Sequence, residues 1–319
     1  MKAIVATKYG PPDVLQLKEV DKPTPKDDEV LIRIYATTVT MGDCELRALK
    51  FSFFMRLLMR LGFGLRKPRK PIPGQEIAGE IEAIGNNVQK FSVGDQIFAS
   101  TEFKFGAYAE YVCLPEKGVM AKKPTNMTYE EAAAVITGGF NALYFVRKAN
   151  IKSGQKVLIR GASGSIGTFA IQLAKYYGAE VTAVGNPKSL EMMKSLGADR
   201  VIDYTKEDFT KSGETYDFIF DVIGKSSFSG SVRLLNENGT FLLANAGARK
   251  VRRLLTSGQK VVVGRSLVYK TEDLIFLREL IEAGKIKSAI DRSYPLEQIS
   301  DAHRYVDKGE KTGNVVITI

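Results

Sequence analysis

From Thr128 onward the chain alternates helix-like and strand-like segments, and no feature restricts its fold more. A helical run over residues 129–148 leads to an apolar strand at 156–160, a helix at 165–178, a strand at 180–184, a helix at 190–196 and a strand at 200–203. A strand at 218–221, a helix at 227–235 and a strand at 240–244 continue the series. Successive parallel strands need crossover connections, so repeated βα units predict a parallel sheet wound with helices on both faces.

The first third has a different texture. Short strand patterns at 2–8, 15–20, 30–39, 77–84, 96–99 and 107–114 are separated by turn residues such as Pro11-Pro12-Asp13 and Val93-Gly94-Asp95. They predict a compact, mostly β domain. After Tyr269 come helices at 271–283 and 296–308 and a strand-like end at 314–319, whose natural partner is the β domain at the front. The expected domains are therefore 1–125 completed by 270–319, and 126–269 between them.

The sharpest local motif is Gly161-Ala162-Ser163-Gly164-Ser165-Ile166-Gly167, placed after an apolar strand and at the head of a helix. Glycines there let a pyrophosphate approach the backbone, and the helix N-terminus favours its charge. The bland alternative is a glycine turn alone. Sites selective for NAD carry Asp or Glu about 20 residues further on, at the end of the second strand. This chain has Gly185-Asn186-Pro187-Lys188-Ser189 instead, with Tyr204 ending the next strand. Donors without a carboxylate suit a 2′-phosphate, which predicts NADPH, unless Lys188 is only a solvated lysine at a helix start.

Together these segments resemble the medium-chain dehydrogenase/reductase family, in its zinc-independent quinone oxidoreductase-like branch. The similarity spans the chain and includes Pro73-Gly74-Gln75-Glu76-Ile77-Ala78-Gly79, Gly106-Ala107-Tyr108-Ala109-Glu110-Tyr111, Ser195-Leu196-Gly197-Ala198-Asp199 and Phe220-Asp221-Val222-Ile223-Gly224. The resemblance implies a GroES-like β domain formed by both chain ends, a Rossmann domain in the middle and an active cleft between them. It also implies Gly164, Ser165, Ile166 and Gly167 at the pyrophosphate and Asn186 and Lys188 at the 2′-phosphate. Tyr204 falls on the adenosine side, Ile223 and Ala246 beside the nicotinamide, and Asn141 near the nicotinamide ribose, where the family usually has threonine.

Zinc-dependent relatives place a histidine in a Gly-His-Glu triplet. Here the triplet is Gly74-Gln75-Glu76, and an amide is a poor zinc ligand. The single histidine, His303, reads as a surface or packing residue in a C-terminal helix, so no metal site is expected. The zinc-free branch's Asn-Pro-x-Asp-x-x-x-Arg signature has its counterpart in Thr40-Met41-Gly42-Asp43-Cys44-Glu45-Leu46-Arg47. Thr40 becomes the candidate donor to a substrate oxygen, with Asp43 and Arg47 as a supporting ion pair or as a loop-holding pair only.

Composition narrows the class. With 44% hydrophobic and 26% charged residues the chain is of ordinary soluble type. Its two cysteines, Cys44 and Cys113, give neither a disulfide framework nor a four-cysteine zinc lobe, and a cytoplasmic location is expected. It opens straight into a strand pattern without a leader, and no apolar run approaches the ~20 residues of a membrane span. The net charge of +10 is concentrated in residues 50–70, with seven Lys or Arg and no acid around Phe51, Phe54, Leu57, Leu58 and Leu61. This spacing predicts a short basic amphipathic helix. A lid over the substrate ranks first for it, domain packing second and peripheral membrane contact third, with nucleic acid not expected.

The expected function is NADPH-dependent hydride transfer to a quinone, enone or other reactive carbonyl, on a small hydrophobic substrate. The alternatives are a secondary-alcohol dehydrogenase, and a nucleotide-binding protein of the same fold without turnover. A homodimer paired through an edge strand at 260–269 is a further expectation.

Overall fold

The computed structural model describes residues 1–224, 228–244, 260–264 and 269–319. The chain forms two compact units. One comprises Met1–Ile136, Lys270–Glu282 and Ala289–Ile319; the other comprises Thr137–Tyr269 and Ala283–Ser288.

The first unit opens with an antiparallel pair, β1 (Lys2–Ala6) and β2 (Leu15–Glu19). A larger sheet follows from β3 (Glu29–Val39), β4 (Glu76–Ile84), β5 (Gln96–Ser100), β6 (Tyr111–Pro115) and β7 (Met120–Lys122). Its centre is β3, antiparallel to both β4 and β6. Alternation along β3 sends Val30, Ile32 and Ile34 into a core with Ile77, Ile81 and Ile97. A register shift between Ile34 and Ala36 then changes the alternation, and Val39 joins a second core. Three helices belong to this stretch: α1 (Met41–Ala48) directly after β3, α2 (Phe53–Phe63) and α3 (Tyr129–Ala133).

The second unit carries α4 (Ile136–Ala149), β8 (Lys156–Arg160), α5 (Ser165–Tyr176), β9 (Glu180–Gly185), α6 (Leu190–Ser195) and β10 (Arg200–Asp203). It continues through β11 (Tyr216–Asp221), α7 (Phe228–Val232), β12 (Leu235–Leu243) and β13 (Lys260–Val263). The strand order is β10-β9-β8-β11-β12-β13, all parallel. Counted from β8 this is the 3-2-1-4-5-6 order of a doubly wound sheet, with its switch point between β8 and β11.

Several boundaries differ from the sequence reading, among them the strand expected at 107–114, which is β6 at Tyr111–Pro115. The helical run at 129–148 is broken after α3 at Ala134, whose ψ of −7° leaves the helical range, and in α4 Gly138 lies so close to α5 that a β-carbon there would stand 2.7 Å from the Ser165 carbonyl oxygen. Nothing in the apolar spacing marks the break. The strand expected from Thr240 begins at Leu235, and the edge reading at 260–269 is described only over 260–264 and at Tyr269.

The chain then returns to the first unit through α8 (Thr271–Glu282), β14 (Ile290–Pro295), α9 (Ile299–Asp307) and β15 (Asn314–Thr318). β15 lies antiparallel to β3, with Val315 opposite Val39 and Ile317 opposite Thr37, and β14 lies parallel outside it. The mostly β unit is thus built from both chain ends. Val315, Ile317, Ile299 and Val306 fill the second core together with Ile4, Val39 and Tyr108. Truncating a buried isoleucine removes apolar contacts and leaves a cavity, so Ile317→Ala is expected to cost about 2–5 kcal/mol in urea unfolding. A loss below 1 kcal/mol would show that β15 contributes little to this core.

Candidate active site

The loop after β8 separates the jobs of its glycines. Gly161 has φ +76°, and a β-carbon there would meet Ile223 Cγ1 at 2.7 Å. At Gly167 it would lie 2.3 Å from the Gly161 carbonyl oxygen, so the first turn of α5 rests directly on the loop. The fold itself requires both glycines. Gly164 differs: its φ is an ordinary −86°, and a β-carbon would find nothing nearer than 3.7 Å. It is the N-cap of α5 and offers no side-chain cap. An open backbone face at an uncapped helix start is the kind of place where a pyrophosphate can approach the main chain.

At the end of β9, Gly185 is buried, and a side chain there would run into Ser189 Oγ and Met193 Cε, each 2.7 Å from its β-carbon. A larger residue at this position would require the Ser189 and Met193 side chains to shift. Asn186 follows with its Oδ1 buried and unpaired, Lys188 is exposed, and Tyr204 is 58% exposed with its N–H donating to the Gly185 carbonyl at 3.3 Å. These three side chains gather around one strand end. The Ser189 hydroxyl, expected as a further donor, is spent on the Asn186 carbonyl at 2.8 Å.

Ile223 is 43% exposed beside Gly161. Asn141 is buried, its Nδ2 donating to the Thr137 carbonyl at 2.8 Å and lying 3.3 Å from Tyr269 Oη, while Phe140 stacks on Tyr269 at 4.3 Å. Ala246 lies outside the described residues.

In the first unit, Thr40 caps α1. Asp43 N donates to Thr40 Oγ1 at 3.2 Å, and the Asp43 carboxylate accepts from both Thr40 N, at 2.9 Å, and the Thr40 hydroxyl, at 2.6 Å. This capping box turns the hydroxyl proton toward Asp43. Burial pushes the Asp43 carboxyl upward, against the Thr40 hydrogen bonds, which hold it down.

The expected ion pair between Asp43 and Arg47 is corrected. Asp43 folds back over the start of α1, while Arg47, in its last turn, reaches Asp307 on α9 at 2.6 Å and the Gly10 carbonyl at 3.2 Å. Lys50 joins Asp307 from the other side at 2.8 Å. Sequence spacing within one helix gave no sign of a partner some 260 residues away.

His303 is a packing residue and not a surface one. It is 1% exposed, with Nδ1 3.3 Å from Cys44 Sγ and its ring edge-on to Tyr108 at 5.8 Å. Gln75 donates to the Glu102 carbonyl at 2.9 Å, and among the described residues no three His, Cys, Asp or Glu side chains converge on a metal position. Its neighbour Glu76 is buried and accepts from the Thr38 hydroxyl. Beside it burial holds Lys311 down to about 8.

Desolvation lowers His303 to about 3. The unfolded chain protonates this residue below pH ~6.5 and the native chain does not, so its contribution to stability falls as pH drops from about 6.5 toward 3. At pH 5 the loss is about 2 kcal/mol. Denaturant melts at pH 7.5 and 5 should show His303→Leu losing about that much less than the parent; equal losses would place the titration elsewhere.

Residues 26–125 match the alcohol dehydrogenase GroES-like domain family, and residues 196–317 match the family described as zinc-binding dehydrogenase. The chain is 33% identical to 2-methylene-furan-3-one reductase of Solanum lycopersicum, an alignment covering 99% of this chain and 79% of that one. It is 32% identical, with the same coverage, to NADPH-dependent alkenal/one oxidoreductase, chloroplastic, of Arabidopsis thaliana. The solved quinone oxidoreductase from Coxiella burnetii superposes with a TM-score of 0.89 at 27% identity, covering 100% of this chain and 99% of that one.

Proposed function

The chain belongs to the medium-chain dehydrogenase/reductase family, in its quinone oxidoreductase-like branch, and on that premise we propose an NADPH-dependent reductase of quinones, enones or other reactive carbonyls. The observation that carries the reading is Gly164, whose open face stands at the uncapped head of α5 while its neighbouring glycines serve packing. Gly161 to Gly167 hold the pyrophosphate, Asn186, Lys188 and Tyr204 surround the 2′-phosphate end, and Ile223, Ala246 and Asn141 serve the nicotinamide side. Bound NADPH supplies the hydride.

Acceptors conjugated to a carbonyl carry an electrophilic carbon of their own, so hydrogen-bond donors suffice to meet the charge developing on oxygen. Thr40 is the donor in this reading, and Asp43 sets its direction. When Asp43 takes up a proton, as its burial favours, it donates to Thr40 Oγ1 and releases the threonine hydrogen toward the substrate oxygen. Arg47 has a positioning part, tying α1 to α9 through Asp307. The reverse reaction, oxidation of an alcohol, needs a means of lowering the alcohol's pKa, and the neutral amide of Gln75 supplies none.

Purified protein should oxidise NADPH with a panel of quinones and enones; NADPH binding without turnover on any acceptor would leave only the binding-protein alternative. Titration should give tighter binding of NADPH than NADH. Lys188→Ala should weaken NADPH by about 1 kcal/mol, roughly fivefold, and leave NADH unchanged. Equal losses for both nucleotides would remove Lys188 from the 2′-phosphate.

A second contact is favoured by α2. None of its eleven residues is buried, Phe53 is 86% and Phe54 69% exposed, and the basic residues of 50–70 have no acid among them. Apolar side chains interleaved with cations match the interface of an anionic bilayer, where lipophilic acceptors also partition. Of α2 only Gly62 and Phe63 border a cavity of the first unit, joined there by Pro68, Arg69 and Lys70, which narrows the lid expectation to the C-terminal part of the segment. The protein should co-sediment with vesicles containing phosphatidylglycerol and hardly with pure phosphatidylcholine. Phe53→Ser with Phe54→Ser should abolish this while turnover of a soluble quinone persists; undiminished sedimentation would count against α2.

No described helix is long and apolar enough to cross a membrane. We place the protein in the cytoplasm, where its free cysteines stay reduced, and infer a homodimer through β13, one of the two edge strands of its sheet among the described residues.

A further inference from the structure

At the carboxyl ends of the parallel strands, where a doubly wound sheet receives its ligand, β8 and β11 lie side by side with Arg160 opposite Asp221. Arg160 directly precedes the Gly161 loop, and Asp221 directly precedes the turn Val222-Ile223-Gly224. Asp221 is buried. Burying a carboxylate is costly unless it is both paired and hydrogen-bonded.

Both conditions are met by residues of the two turns. Arg160 Nη1 lies 3.3 Å from Asp221 Oδ1, and the Gly224 N–H donates to the same oxygen at 2.9 Å. The Val222 N–H donates to the Arg160 carbonyl at 3.0 Å, and the Asp221 carbonyl accepts from Ala244 N at 3.2 Å. Gly224 completes the turn with φ +75°, a conformation that side-chain-bearing residues rarely adopt. Ile223 is thereby held at the tip, between two pinned neighbours. One side of it rests on Gly161, where a β-carbon would stand 2.7 Å from Ile223 Cγ1, and 43% of the residue remains exposed. An aliphatic side chain left half-open at a sheet's ligand-binding end offers an apolar face to a flat, uncharged ring.

We propose that Asp221 is a positioning residue for hydride transfer: its carboxylate, paired with Arg160, fixes the 222–224 turn and with it the level at which Ile223 backs the nicotinamide. The inference rests on the reading of Ile223 as a residue of the nicotinamide side. Because Arg160 and Gly161 are consecutive, the same pair ties that turn to the loop that receives the pyrophosphate. Two parts of one cofactor are thus referred to a single buried contact between neighbouring strands. Such precision matters to the rate, since misplacing a reacting group by about 1 Å can cost on the order of a hundredfold.

The test uses binding as well as turnover. On the unaltered protein, NADPH should gain nicotinamide emission as its ring is held. Asp221→Ala should lose that gain and transfer hydride to a quinone about tenfold more slowly. Its affinity for adenosine 2′,5′-bisphosphate, which lacks the nicotinamide, should stay unchanged, a result that a collapsed sheet end would not give. Asp221→Asn keeps an oxygen for the Gly224 N–H and should recover the emission and most of the rate. The emission readout needs no acceptor, so the absence of turnover would defeat the reductase reading without touching this one. No emission gain on the unaltered protein, an undiminished gain in Asp221→Ala, or equal losses of NADPH and bisphosphate affinity would each overturn the proposal.

Discussion

The antiparallel pairing of β15 with β3 is the constraint on which the first unit rests. β3 already carries β4 and β6, and the register of Val315 against Val39 adds the strand that seals the second core. The same pairing sets the end of β3, where the backbone turns into Thr40 and the cap of α1. It also anchors α9, whose Asp307 receives Arg47. A mostly buried ion pair of this kind is weak evidence for stability, since desolvation offsets much of its attraction. Its clearer effect is geometric: two helices far apart in sequence are held at one spacing, with Cys44, Tyr108 and His303 packed between them.

In the second unit, steric necessity and ligand access are divided among neighbouring residues. Gly161 and Gly167 have no choice, because any β-carbon meets backbone or Ile223. Gly164 has room, and its smallness serves what approaches from outside. Gly185 is crowded as well, but by the ends of the Ser189 and Met193 side chains and not by backbone.

Much of this was legible in the chain because it depends on local periodicity. The alternation beyond Thr128 gave the strands β8 to β11 within a residue or two, and the glycine motif fell at the start of α5. The amphipathic stretch within 50–70 became α2. What was not legible is long-range. The partner of Arg47, the burial of His303 and the break between α3 and α4 arise from segments that meet only in the folded state. Thr40 and Asp43 were singled out by motif, yet their mutual capping bonds follow from the helix start that they form, and a signature read as an ion pair conceals this. The spacing S/T-x-x-D at Thr40 was the available signal, since it is the pattern of a capping box with a shorter acid.

The position of β15 also bears on how the protein is made. β3 leaves the ribosome roughly 275 residues before the strand that completes its edge, and at 5–20 residues per second that interval lasts tens of seconds. Throughout it, the Ala36–Val39 segment presents unsatisfied backbone groups beside an apolar face, and all six described strands of the second unit emerge before that edge is covered. Nascent chains are therefore most prone to mispairing with one another late in synthesis, and a premature stop even a few codons before Asn314 would leave that edge permanently open.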